Sequence, residues 1–269
     1  MCEWCAQHEA VQRGEIDEHA PPPVIRPWMG RREPAITLTH IIFGISAAVF
    51  LGMALGAQGI WEFPTPELVQ WGANLGALTI SGEWWRLLTN IFVHAGIIHI
   101  GFNMWCLWYL GELAEQLYGA GTYGCIYLIC GLGASLTSAG WHPYVPSVGA
   151  SGAIFGLAGA LFTAIKLGEF SVSRAALSGT LRSLGAFVVY NLIFGFAISG
   201  VDNAAHIGGL ITGAIVGSVV ALVAPRRDQG ARRAVVFVVL LFALAFCAML
   251  LAHHYGVPLR LQAVHLAQP

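Results

Sequence analysis

Charge is scarce in this 269-residue chain: Asp, Glu, Lys and Arg make up 10% of it, as 13 basic and 14 acidic residues. That is too little to cover a water-facing surface, which excludes an ordinary soluble domain. The net charge of −1 leaves no basic surplus, so no nucleic-acid partner is expected. An apolar run near the start is missing too. The first 35 residues are polar, contain Pro21-Pro22-Pro23, and show neither a secretory signal pattern nor an evident organelle address. They are expected to form a polar cytoplasmic tail over 1–35. A complete metal-ligand set is lacking as well. Cys2 and Cys5, with His8 and the more distant His19, could supply half of a zinc site, whereas a structural zinc needs four ligands at known spacing and two such pairs are not evident. No metal is therefore assigned. Cys106, Cys125, Cys130 and Cys247 fall within apolar segments, where a buried thiol serves as a small packing residue.

Hydrophobic residues, by contrast, form 57% of the chain and its mean hydropathy is +0.68. It reads as an integral, multi-pass membrane protein. Spans of roughly 17 to 25 apolar residues suit a hydrocarbon core about 30 Å thick. The pattern predicts seven, near 36–57, 94–116, 121–141, 151–167, 180–199, 202–224 and 234–252. A connection over 58–93 carries Trp61, Trp71, Trp84 and Trp85, and indole rings prefer the membrane interface. Eleven of the 13 basic residues fall on one face of this arrangement, leaving Arg86 and Arg260 opposite. By the positive-inside rule the N-terminus is cytoplasmic and the C-terminus outside.

With that orientation the second, fourth and sixth spans start at the outer side, and the polar residues at their starts share one depth. These are His94, His99 and Asn103 on the second, Ser151 on the fourth, and Asp202, Asn203 and His206 on the sixth. At about 100° per residue, Gly209, Gly213 and Gly217 lie near the phase of His206, and Gly152, Gly156 and Gly159 make a stripe beside Ser151. Two glycine stripes can approach closely, and their packing would bring Ser151 and His206 to hydrogen-bonding distance. Serine needs such a base to become a nucleophile at neutral pH. The Ser151 backbone N–H, the Asn103 amide and the His99 ring are candidate donors for the oxyanion that follows. Asp202 is one turn from His206, so the reading is a dyad rather than a triad. From Ser151 to Lys166 the fourth span covers about 22 Å, less than the ~30 Å core. Gly149-Ala150 is then non-helical backbone at membrane depth, tolerable only beside protein or a watery cavity.

Together these residues resemble the rhomboid family of intramembrane serine proteases over roughly 70–225. The matching motifs are Gly149-x-Ser151-Gly152, Ala205-His206-x-Gly208-Gly209 and His94-x4-His99-x3-Asn103, with Trp85-Arg86 and Gly111-x3-Glu115. The resemblance implies an all-α polytopic helical bundle: a six-helix catalytic core over 36–225, then a basic loop, a seventh span and a short tail over 226–269. It also implies an endopeptidase without cofactor or metal, acting on transmembrane proteins among membrane lipids. Ser151 and His206 would be catalytic, Asn103 and His99 oxyanion-stabilising, and Gly149, Gly152, Phe155 and His94 supporting. Some family members carry tyrosine where Phe155 stands, stacked on the catalytic histidine. The phenyl ring keeps the stacking surface and loses the hydroxyl.

Plainer readings exist for each feature. Glycine stripes mostly serve packing, an intramembrane serine usually bonds its own helix, and His94 is expected to bond a loop rather than substrate. Arg86 and Glu115 are candidates for an ion pair. A catalytically silent member of the fold would ordinarily lack the serine or the histidine, and a transporter would place ionisable residues at several depths. The absence of an organelle address favours a bacterial plasma membrane over a mitochondrial one.

Overall fold

A computed structural model describes residues 36–57, 59–167, 174–198, 200–223 and 229–266, with side chains undescribed over 174–177 and 256–266. The tail with Cys2, Cys5, His8 and His19 lies outside the described residues. The first long helix is α1 (Leu38–Gly56), followed by a connection holding α2 (Thr65–Gln70), β1 (Asn74–Leu75), α3 (Gly76–Ile80) and α4 (Arg86–Thr89). Then come α5 (Ile97–Tyr118), α6 (Ala120–Trp141), β2 (Pro146–Ser147), α7 (Ser151–Leu167), α8 (Arg174–Ala197), α9 (Asn203–Val223) and α10 (Gly230–Leu266). The chain is an all-α polytopic membrane protein. Among the described residues five helices, α1, α6, α8, α9 and α10, have segments long and apolar enough to cross a bilayer, while α7 is a shorter apolar helix of 17 residues. Helix α5 has 22 residues, but His99, Asn103, Glu112 and Glu115 dilute its hydropathy.

Helix α7 is the centre of the bundle. Every residue from Gly152 to Leu161 is buried, as expected of a helix that is apolar or small on all sides. It packs between α6 and α9, with α5 alongside. The outer faces of α8 and α10 remain exposed and apolar, with Val189, Ile193 and Phe196 on one and Phe242 and Phe246 on the other, as suits a lipid environment. Helix α10 is tied to the bundle at its first turn and again some two thirds of the way along. Arg233 Nη1 donates to the Tyr118 carbonyl (3.3 Å) and Thr122 Oγ1 (3.2 Å), and Tyr255 Oη donates to the Gly140 carbonyl (2.8 Å).

Backbone groups at helix ends need partners where water is scarce. The Glu115 carboxylate accepts from the Leu38 and Thr39 amides (2.8 and 2.9 Å) and from Thr39 Oγ1 (2.8 Å), so it caps the start of α1. The candidate Arg86–Glu115 ion pair is thereby replaced. Arg86 instead meets Glu83 Oε2 (2.7 Å) and donates to the Val69 and Ala73 carbonyls (2.6 and 3.0 Å), fixing the connection from within. In that connection β1 pairs antiparallel with β2, Asn74 opposite Ser147 and Leu75 opposite Pro146. The Gly149 amide donates to the Asn90 carbonyl (2.9 Å). These contacts fix the segment that leads into Ser151.

Candidate active site

The seam between α7 and α9 is built of glycine. A Cβ on Gly209 would overlap the Gly152 carbonyl, and one on Gly213 the Gly156 carbonyl, so the two backbones are in direct contact. That approach sets His206 Nε2 2.9 Å from Ser151 Oγ. Phe155, one turn along α7, lies flat on the imidazole with ring centroids 4.2 Å apart and planes 8° apart. Phe187 of α8 packs behind it at 5.4 Å. His206 Nδ1 is buried with no hydrogen-bond partner among the described residues.

Two further polar side chains converge on the turn before Ser151. Gly149 has φ +113°, a left-handed conformation that disfavours any side chain. A Cβ there would lie 2.8 Å from His99 Cε1 and Nε2 and 3.8 Å from Asn103 Nδ2, so both groups rest against this backbone. His99 Nδ1 accepts from the Ala95 amide (3.2 Å), which in a neutral ring leaves the proton on Nε2, facing Gly149. Asn103 Nδ2 donates to the His99 carbonyl (2.9 Å) and keeps a second N–H free to donate elsewhere. Ser151 is the first residue of α7, so its own N–H has no carbonyl one turn back within the helix. Three donors of the kind that stabilise an oxyanion thus surround one small volume.

A cavity of about 750 Å³ opens over these groups, lined by His99, Asn103, Ser151, Phe155 and His206 among others. It is large enough for an extended peptide segment and water. A serine with a base at 2.9 Å, donors beside it and room for an acyl group can carry out acyl transfer. No group of three or more His, Cys, Asp or Glu able to hold a metal occurs among the described residues.

His94 stands apart from the cavity. Its ring is fully buried behind His99, edge-on at 5.3 Å, with Nδ1 against the Phe92 carbonyl (3.1 Å). Several neighbours of the site carry no sequence signal. Asn90 and Ser135 line the cavity and bond each other (Asn90 Nδ2 to Ser135 Oγ, 2.9 Å), 45 positions apart. Phe187 likewise gives no periodic hint of its place behind Phe155. Asp202 makes no hydrogen bond to His206 Nδ1: its Oδ1 accepts from the Ala205 amide (3.0 Å) and its Oδ2 from Ser138 Oγ (2.5 Å).

Comparison with known proteins bears on this geometry. A family model described as a rhomboid domain matches residues 81–223. The chain is 34% identical over 204 residues to the rhomboid protease AarA of Providencia stuartii, covering 68% of this chain and 71% of that protein. To the rhomboid protease GluP of Bacillus subtilis it is 38% identical over 213 residues, covering 78% of this chain and 39% of GluP. To the mitochondrial RHOMBOID-like protein 6 of Arabidopsis thaliana it is 42% identical over 149 residues, 54% of this chain and 48% of the relative. The chain therefore spans less than half of two of these relatives and about seven tenths of the third.

Proposed function

This chain belongs to the rhomboid family of intramembrane serine proteases, and from that premise we propose that it is an endopeptidase cutting transmembrane segments of other proteins near the outer side of the bilayer. The observation that carries the reading is the 2.9 Å contact between His206 Nε2 and Ser151 Oγ beneath a cavity furnished with oxyanion donors.

In the mechanism that follows from this geometry, Ser151 Oγ attacks the scissile carbonyl carbon while His206 Nε2 takes the hydroxyl proton. The tetrahedral oxyanion is held by the Ser151 N–H, the free Asn103 N–H and His99 Nε2–H. Collapse breaks the C–N bond, His206 returns its proton to the leaving amine, and an ester joins the acyl half to Ser151. Water entering through the cavity loses a proton to His206 and attacks the ester, freeing the carboxylic product and restoring the serine. Phe155 keeps the imidazole in plane through both halves, and Gly149 and Gly152 let backbone and ring come close enough. His94 supports His99 from behind. Asp202 makes no hydrogen bond to the His206 ring, so proton transfer is assigned to the Ser151–His206 dyad.

We place the N-terminal tail and the basic segment 226–233 in the cytoplasm and the C-terminus outside, with seven spans in a bacterial plasma membrane, because basic residues gather on one side. A fluorophosphonate probe tests the central assignment. The wild-type chain should be labelled at Ser151 and should cleave a model transmembrane substrate, whereas Ser151→Ala and His206→Ala should each abolish cleavage while remaining folded. Near wild-type turnover in either variant would remove the dyad.

A further inference from the structure

Helix α9 must present His206 to Ser151 at hydrogen-bonding distance, and the glycine seam sets how near α7 and α9 lie. A second attachment, between α9 and α6, lies at the top of α9, beside His206. Asp202 stands immediately before the helix and its Oδ1 takes the Ala205 amide (3.0 Å), the geometry of a capping side chain on an otherwise unpaired donor. The second oxygen, Oδ2, accepts from Ser138 Oγ (2.5 Å), on the last turn of α6 and itself 1% exposed. The Asp202 carbonyl in turn accepts the His206 amide (3.2 Å), so His206 moves with whatever fixes Asp202.

We propose that Asp202 and Ser138 form a positioning clamp, in which one carboxylate caps α9 and bolts it to α6, setting the axial position of His206 against Ser151. Neither residue touches the reacting atoms. Asp202 makes no hydrogen bond to the His206 ring: its oxygens take the Ala205 amide and Ser138 Oγ, and His206 Nδ1 has no hydrogen-bond partner among the described residues. The α6–α9 seam around the clamp is also closely fitted: Thr137 of α6 fills the space beside Gly208, and Thr212 of α9 fills that beside Gly133, as Thr163 of α7 fills that beside Gly217.

The inference rests on Ser151 and His206 being the reacting pair, and the test separates the two. The full chain in liposomes would be measured for kcat and KM on a transmembrane substrate, for the rate of fluorophosphonate labelling at Ser151, and for its thermal midpoint. Asp202→Asn keeps an oxygen for the cap and an amide for Ser138, so it should stay within about threefold of wild type. Asp202→Ala and Ser138→Ala should each lower kcat and the labelling rate about tenfold with KM unchanged, as misplacement of a base does. Asparagine as damaging as alanine would mean that charge matters, and would overturn the clamp. Wild-type kcat in Ser138→Ala would do the same. Should Asp202→Ala fail to fold, Asp202→Asn and Ser138→Ala decide. A wild-type chain that takes no label at Ser151 would instead remove the nucleophile assignment.

Discussion

The His206 imidazole is held by three contacts of different kinds: Ser151 at its Nε2, the Phe155 face beneath it and the backbone bond back to Asp202. Of these, the aromatic contact constrains tilt most directly, because a stack with planes 8° apart is lost on modest rotation of the ring. Stacked pairs contribute about 0.5–1.5 kcal/mol beyond burial, enough to bias one orientation strongly but not to fold the protein alone. Phe155→Tyr keeps the ring and its hydroxyl can enter the cavity that Phe155 lines, so its kcat is expected near wild type. Phe155→Ala frees the imidazole and is expected to lower kcat about tenfold at similar KM. It also empties a buried site, at a cost of about 3–5 kcal/mol in stability, so turnover is compared on purified protein below its measured melting temperature. Equal kcat in Phe155→Ala and wild type would show that the ring does not orient the base.

At the scale of elements, the decisive joint is α7 against α9. Gly209→Ala would drive a methyl into the Gly152 carbonyl, which is backbone and cannot rotate away, so the helices must part. The expected result is a lower thermal midpoint and loss of Ser151 labelling by tenfold or more, on the order expected when a base is misplaced. Gly101→Ala on α5 meets nothing within 4 Å and gains roughly 1 kcal/mol of helix propensity, so it serves as the matched control and should leave both readouts intact. This joint is legible in the sequence because helical phase puts the glycines beside Ser151 and His206. The helices are legible because hydrocarbon thickness sets their length, although α8 and α10 extend past their apolar segments, to Arg174 at one and to Leu266 at the other. A helix can continue past its membrane-spanning stretch once its backbone bonds are under way, so hydropathy alone does not mark its ends. What sequence does not disclose are single polar contacts across distant helices. Ser138 and Asp202 are 64 positions apart, and a lone serine has no period to betray its partner. Arg86 and Glu115, candidates for an ion pair, are separated for a related reason: Glu115 is taken up by the start of α1, and Arg86 by Glu83 and two carbonyls of its own connection, partners whose availability depends on the fold.

For the whole molecule, the proposed cleavage makes the depth of the serine the feature that would govern which substrates are accepted. Helix α7 has 17 residues, about 25 Å at 1.5 Å per residue, against a hydrocarbon core of about 30 Å. If its cytoplasmic end lies at the inner boundary near Lys166, Ser151 sits below the outer surface, at the floor of the cavity. A substrate helix in lipid keeps its carbonyls hydrogen-bonded and shielded, so it must unwind locally before Ser151 can reach one. Glycine lowers the cost of that unwinding by roughly 1 kcal/mol relative to alanine and proline by about 3, whereas leucine is close to alanine. Substrates with small or helix-breaking residues near the outer end of their span should therefore be cleaved faster, and leucine at those positions should suppress cleavage about fivefold or more on that propensity scale. Matched substrates differing only there, reconstituted with the enzyme and analysed by mass spectrometry for the cut position, provide the measurement. Equal rates would remove the unwinding step as a gate, and cuts near the cytoplasmic end of the substrate span would overturn the orientation derived from the basic residues.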